Sequence, residues 1–262
     1  MEILLIFNAG ASNKFWKIKA EENSYTITYG KIGTGGAVKT KTFGSAEICQ
    51  KEAEKLIQSK LKKGYIPSEE SEGIIKESAM IDKAFWDLLK WVKSKAEDSE
   101  EQIEYLIDYL SKLSVKDLIK FDSILNQYMN KSYTSDLWAA AYTILGGCSD
   151  ECFDYFRAWL IFQGKDVYDN GNKDPESLIP FLIKMEELDD LPQLEDLLSA
   201  ACMAFEEKTG HDDEAYYDLY EQLAGFEEQP ELEFDWDEDD EEGMKKRFPK
   251  LWERYGEVPV EW

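Results

Sequence analysis

Apolar and polar positions alternate from the first residues of this chain. Trp16, Ile18 and Ala20 fall on one face of an extended segment, and Phe15, Lys17 and Lys19 fall on the other. Tyr25, Ile27 and Tyr29 alternate with Thr26 and Thr28, and a Gly33-Thr34-Gly35-Gly36 turn leads into a further alternating stretch, Ala37 to Phe43. A period of two predicts strands, and the apolar opening, Met1 to Phe7, reads as the first of them. The period then lengthens. Ala46, Cys49, Ala53, Leu56, Ile57 and Leu61 recur at helical spacing behind Ser45, whose hydroxyl suits an N-cap, and Gly64 suits the stop.

Pro67 marks a boundary and residues 68–80 are polar. From Asp82 onward the apolar spacing is helical. One stripe runs from Phe85 to Val92, a second from Ile103 to Leu113, and a third, behind Ser114, from Leu118 to Tyr128. Further helices are predicted from Ser135 or Asp136 to Leu145, from a Ser149 cap to Phe162, over Pro175–Glu187, over Pro192–Lys208 and over Asp212–Leu223. No fixed repeat period indicates a solenoid. The expected fold class is α+β, a small antiparallel sheet with one helix over residues 1–67, a linker at 68–80, and an all-α domain over 81–262.

Charge alters this picture in one respect. The chain has 262 residues and a formal net charge of -25, which by itself suggests disorder. Eight Trp, 14 Tyr and 13 Phe argue for folded cores instead. The charge is also divided unevenly. Residues 1–67 carry 11 Lys against 6 Glu, net +5, and the remainder is net -30. Eleven carboxylates crowd into residues 227–242, where Phe234 and Trp236 interrupt them and could tie the segment down while the carboxylates face outward.

No window has the long uncharged apolar run of a membrane span, and Met1 to Phe7 lacks a basic leader, so a cytoplasmic location is expected. Cys148 and Cys152 are four apart, which is neither a redox Cys-x-x-Cys nor a zinc spacing, and all four cysteines are expected as free thiols.

The run Lys14-Phe15-Trp16, then Tyr29-Gly30-Lys31-Ile32-Gly33, Lys39-Thr40-Lys41-Thr42-Phe43 and Lys60-Leu61-Lys62-Lys63-Gly64-Tyr65 resembles the WGR domain over residues 3–66. In eukaryotic poly(ADP-ribose) polymerases that domain helps to bind DNA ends, so the resemblance implies contact with nucleic acid or with a protein bound to it. Tyr29-Gly30-Lys31 stands where the family has Trp-Gly-Arg. Tyr29 keeps an aromatic face, and Lys31 keeps a cation without the guanidinium fork that grips phosphate bidentately. The remainder resembles a bacterial domain-of-unknown-function family over most of residues 78–256. Phe85-Trp86-x-Leu-Leu, Asp136 to Tyr142, Gly146 to Asp150, Phe153 to Gly164 and Phe248 to Trp252 carry that resemblance.

Catalysis finds little support. Gly146-Gly147-x-Ser149 resembles a phosphate cradle, but Asp150 and Glu151 follow it and would repel phosphate. His211 is the single histidine and lies in a polar stretch. With no nucleophile motif, metal cluster or cofactor motif, no enzyme activity, cofactor or metal is expected. Lys17, Lys19, Lys39 and Lys41 are expected to line one sheet face that binds nucleic acid with Tyr29 and Lys31, unless they only solvate a strand and Tyr29 is a sheet-core aromatic. Asp150, Asp154, Arg157, Trp159 and Gln163 on one helix suggest either a polar site for a partner or an internal Arg–carboxylate network. Asp235, Trp236, Asp237, Glu238, Asp239 and Asp240 form a candidate surface for a basic protein. The expected function is non-enzymatic binding, with nucleic acid at the N-terminal module and a second partner at the acidic domain. The alternative is an antitoxin or immunity protein whose acidic surface neutralises a basic toxin such as a nuclease.

Overall fold

In the computed structural model, residues 1–9, 12–68, 78–225 and 228–260 are described. The first strands are β1 (Glu2–Ala9), β2 (Ser12–Glu21), β3 (Ser24–Lys31) and β4 (Ala37–Thr42). Helix α1 (Ala46–Lys62) and the short strand β5 (Ile66–Pro67) follow. The sheet order is β4-β3-β2-β1-β5, with every neighbouring pair antiparallel. Ser45 caps α1 by accepting from the Ile48 amide. The apolar stripe of α1, Cys49, Ala53 and Ile57, buries against Leu5, Trp16, Ile18 and Tyr25. The predicted sheet with one helix is therefore the observed one. Pro67, expected as a boundary, forms the β5 edge opposite Leu5, and its lack of an N–H suits a sheet edge.

The helical region continues with α2 (Asp82–Lys93), α3 (Ser99–Ser111), α4 (Val115–Lys131), α5 (Ser135–Leu145), α6 (Asp150–Phe162), α7 (Lys165–Lys173), α8 (Ile179–Glu187), α9 (Asp196–Thr209), α10 (Asp213–Ala224) and α11 (Glu241–Arg247). Most follow the apolar spacing. The predicted Pro175–Glu187 helix divides into a 3-10 turn at Pro175–Leu178 and then α8. Pro180, which has no amide hydrogen to give, sits in the first turn of α8. Helix α7 has no clear apolar stripe. Its Gly171 is pressed against Leu178, whose Cδ2 would lie 2.7 Å from any added Cβ. Packing rather than propensity holds this helix.

The described residues fall into two compact units. One comprises those of 1–81, 108–121 and 202–226, and the other those of 82–107, 122–201 and 227–262. Most of the predicted 68–80 linker lies outside the described residues. Within the first unit, Asp218 of α10 accepts from Thr42 Oγ1 at 3.3 Å, and Gln222 donates to Ser24 Oγ at 3.1 Å. Within the second, α5 and α6 are buried on nearly every side, including Leu137, Ala139, Ala140, Phe153, Phe156 and Ile161, the mark of central helices.

Candidate nucleic-acid interface

Strand register decides which cations share a face. Across β2, β3 and β4 the rows are Ile18–Ile27–Lys39 and Ala20–Tyr25–Lys41, with Trp16–Tyr29–Ala37 beside them. These rows lie on the side packed by α1. The alternate rows are Lys17–Thr28–Val38 and Lys19–Thr26–Thr40, on the side where α10 bonds to Ser24 and Thr42. Lys17 and Lys19 therefore face away from Lys39 and Lys41, and the expected four-lysine face does not form. The β2–β3 hairpin pairs odd positions with even ones, so equal parity on β2 and β4 means opposite faces. Lys17 is also paired with Glu2 at 2.5 Å and Lys19 with Glu21 at 2.9 Å. The bond from Lys17 is the main reason the Glu2 carboxyl sits below its usual range.

A different cation cluster occupies the α1 side. Lys14 is the direct register partner of Lys31. Lys60 Nζ lies 5.5 Å from the Trp16 ring centroid and 4.9 Å from that of Tyr65. Burial pushes the Lys60 ammonium below its ordinary range, and repulsion from Lys63 and then Lys14 adds to it. Lys14, Lys31 and Lys63 are exposed. Among the described residues no carboxylate lies within ion-pair distance of Lys14, Lys31, Lys60 or Lys63. Tyr29, two positions before Lys31 on the same face, is 36% exposed, so it is not the sheet-core aromatic that alternation allowed. Lys39 is exposed further along this face, and Lys41 lies 5.0 Å from the Phe43 ring centroid. Of the predicted residues, Tyr29, Lys31, Lys39 and Lys41 stay together. Lys14, Lys60 and Lys63 were missed, although they stand in the resembling motif, because strand register and the packing of α1 on the sheet bring them together.

Glycine makes the turn that follows Tyr29-Gly30-Lys31 possible. A Cβ on Gly30 would meet Gly36 Cα at 2.9 Å, and one on Gly36 would meet the Phe15 ring at 2.5 Å. Gly36 also has a φ of 77°, a conformation that other residues rarely adopt. The turn is closed by Thr34, whose amide and hydroxyl both donate to the Lys31 carbonyl.

The helical candidates separate into internal ties and exposed groups. Arg157 is 2% exposed. It donates to the Met129 carbonyl at 2.6 Å and to Asp154, and its guanidinium lies 4.8 Å from the Tyr133 ring centroid and 4.7 Å from that of Phe153. Trp159 is 3% exposed. Neither presents a surface to a partner, which corrects the partner-site expectation for both. Asp150 is exposed in the first turn of α6. Gln163, the α6 C-cap, accepts from Lys93 Nζ at 2.8 Å. His211 is exposed and stacks near Phe205.

The acidic segment is fastened, with Glu227 outside the described residues. Trp236 Nε1 donates to the Ser135 carbonyl at 3.0 Å, and its ring lies 5.4 Å from Tyr142. Phe234 meets Trp138 edge-on at 5.0 Å. Asp235 accepts from Arg247 and Ser135, and these bonds hold its carboxyl below the usual range. Asp240 caps α11 through the Gly243 amide. Asp237, Glu238, Asp239 and Asp240 are exposed. No helix among the described residues is long and apolar enough to cross a membrane.

Comparison with known proteins agrees with both resemblances. Residues 1–72 match the WGR domain model, and residues 80–207 match the model described as protein of unknown function DUF4240. Over 65 residues the chain is 48% identical to the uncharacterized protein YfeS of Escherichia coli strain K12, covering 25% of this chain and 27% of that protein. Over 61 residues it is 38% identical to protein YehF of the same organism, covering 23% and 22%. The chain thus spans about a quarter of the length of the curated relatives it matches. A crystal structure of a Bacteroides fragilis protein is 29% identical, covers 38% of this chain and 30% of that one, and has a TM-score of 0.26.

Proposed function

We propose that this chain, which carries a WGR domain followed by a DUF4240 domain, is a non-enzymatic binding protein whose WGR module contacts the phosphates of a nucleic acid. One observation carries this reading: Lys14, Lys31, Lys60 and Lys63 gather beside the exposed Tyr29 with no carboxylate partner among the described residues. Burial lowers Lys60 first, and repulsion from Lys63 and Lys14 adds to it, so a phosphate at this cluster relieves part of that cost. An aromatic face nearby supplies a stacking platform for a base. The net charge of -25 opposes long-range attraction. The cluster therefore acts only within the screening length, about 8 Å at physiological salt, and binding is weak and strongly salt-dependent.

Fluorescence anisotropy of the full-length chain with short duplex DNA and duplex RNA, across a salt series, tests this reading. Four phosphate contacts give a log–log salt slope of about -3.6 for DNA. Absence of binding to either duplex at low salt overturns the reading.

A second reading rests on the acidic segment. Asp237, Glu238, Asp239 and Asp240 are exposed on a stretch that Trp236 and Asp235 tie to α5 and Arg247. A fastened array of outward carboxylates suits a basic protein surface, as an immunity protein would require. Capture of a basic protein that is lost on neutralising these four residues supports it.

A further inference from the structure

Two thiols lie in contact at the start of α6. Gly146 and Gly147, both at positive φ, turn the chain after α5 and bring Cys148 over the first turn of the next helix. Ser149 caps that helix by accepting from the Cys152 amide at 3.3 Å. Cys148 Sγ and Cys152 Sγ are 3.0 Å apart. Gln193 Nε2 approaches Cys152 Sγ at 3.4 Å, held there by its neighbour, since the Leu194 amide donates to the Tyr155 carbonyl at 3.0 Å. Cys148 is half-buried, Cys152 is 4% exposed, and Cys49 and Cys202 are buried elsewhere in the chain. The contact was not legible from the spacing, which fits neither a Cys-x-x-Cys redox site nor a zinc site.

We infer that Cys148 and Cys152 form a reactive dithiol that hydrogen peroxide oxidises to an intramolecular disulfide. The surroundings divide the roles between the two thiols. Contact with Cys148, helped by Gln193 and the helix start and opposed by burial, lowers the Cys152 thiol below its ordinary range, while contact with Cys152 and then burial raise the Cys148 thiol. A thiolate in the first turn of a helix gains further from the dipole. Cys152 is therefore the attacking sulfur and Cys148 the resolving one.

The chemistry balances in two steps. The Cys152 thiolate attacks one peroxide oxygen, the O–O bond breaks, and Cys152 becomes a sulfenic acid. The hydroxide released takes the Cys148 proton and leaves as water. The Cys148 thiolate then attacks the Cys152 sulfur. The S–S bond forms, the S–O bond breaks, and the departing hydroxide takes a proton from solvent. Two thiols lose two electrons and one peroxide is reduced to two waters. The sulfurs need to close by only about 1 Å to reach disulfide bonding distance.

Trp138 places a reporter beside the pair, since its Nε1 donates to the Cys148 carbonyl at 2.9 Å. The test uses the full-length chain, reduced, freed of reductant, exposed to hydrogen peroxide and then blocked with N-ethylmaleimide. Trypsin releases both cysteines on one peptide, residues 132–157. The expected result is that this peptide loses two hydrogens and takes no maleimide, and that dithiothreitol restores both thiols. Its oxidation should outpace that of Cys49 and Cys202 by about tenfold or more. In Cys148→Ser, dimedone should trap Cys152 as sulfenic acid. If that variant does not fold, the wild-type peptide mass and the relative rates decide by themselves. Continued labelling of both thiols while Cys49 or Cys202 oxidises overturns the inference, as does an intermolecular disulfide as the product.

Discussion

Lys14 and Lys31 stand directly opposite each other across the β2–β3 ladder, on the side of the sheet that α1 packs. Like charges in register destabilise a sheet pair, so nothing in the stability of the module calls for this arrangement. On the proposed reading, a phosphate would sit between them and relieve the repulsion. Replacing both by alanine removes about two phosphate contacts, and the log–log salt slope for duplex DNA should fall from about -3.6 to about -1.8. The Lys17→Ala, Lys19→Ala double variant should leave the slope unchanged, because those lysines lie on the other face and already pair with Glu2 and Glu21. Equal losses from the two double variants would mean that the face is wrongly assigned.

Arg157 supports the helical region from inside. Its head is ringed by Tyr133, Phe153, Asp154 and the Met129 carbonyl. Arg157→Ala removes packing as well as charge, and urea unfolding should show a loss of about 3 kcal/mol. Arg157→Met keeps most of the volume and abolishes a desolvated charge, so its loss should be about 1 kcal/mol. Asp154→Ala should fall between them. Asp154 is 44% exposed, and solvent screens part of what the ion pair contributes. If Met proves as damaging as Ala, the guanidinium's hydrogen bonds rather than its bulk hold the helices.

How much of this was legible follows from the range of each signal. The strands and most helices are local patterns of period two or 3.6, and caps such as Ser45 and Ser149 lie three residues from the amides they accept. Helix α7 lacked a local signal, because its Gly171 is explained by Leu178 and Leu160 packed against it. Helix α5 runs from Ser135 to Leu145 as its spacing predicts, and Thr134, just before it, supplies the cap. The lysine faces failed for a sharper reason. Which β2 residue meets which β4 residue depends on the parity of two turns, and one residue more or less exchanges the faces. The presence of aromatics in the acidic run was visible, but their partners, Ser135 and Trp138, are about a hundred positions away.

The acidic segment should come loose when its aromatic anchor is removed. Trp236→Ala deletes the bond to the Ser135 carbonyl and the contact with Tyr142. Arg247→Ala deletes ion pairs to Asp235 and Asp136, whose carboxylates are 63% and 51% exposed, so its effect is screened and modest. A glutamyl endopeptidase should cut within 228–242 several-fold faster in Trp236→Ala and only slightly faster in Arg247→Ala. Salt should erase the second difference and leave the first. The reverse order would make the segment's attachment electrostatic.

Lys93 gives the molecule a stability that rises with pH. Its ammonium donates to Gln163 Oε1 and lies 5.6 Å from the Phe162 ring centroid. No carboxylate among the described residues pairs with it. Burial first, and Lys184 second, push it down to about 8. The charged form is thus disfavoured in the folded state. Below about pH 8 both folded and unfolded chains carry the proton, and the folded chain bears the whole penalty. Between about 8 and the ordinary value of 10.5 the unfolded chain keeps a proton that the folded chain has shed, so folding gains as pH rises. The full effect is about 3 kcal/mol. Lys93→Met escapes the penalty at every pH but loses the bond to Gln163, which is valued at about 1 kcal/mol. The variant should therefore be more stable than wild type by about 2 kcal/mol at pH 7. That advantage should shrink steadily and disappear by about pH 10. Changes elsewhere in the chain affect both proteins alike and cancel in the difference. Urea unfolding of the two at pH 7, 8, 9 and 10 reads it directly. A difference that does not change with pH would show that Lys93 stays charged throughout, with water reaching its ammonium.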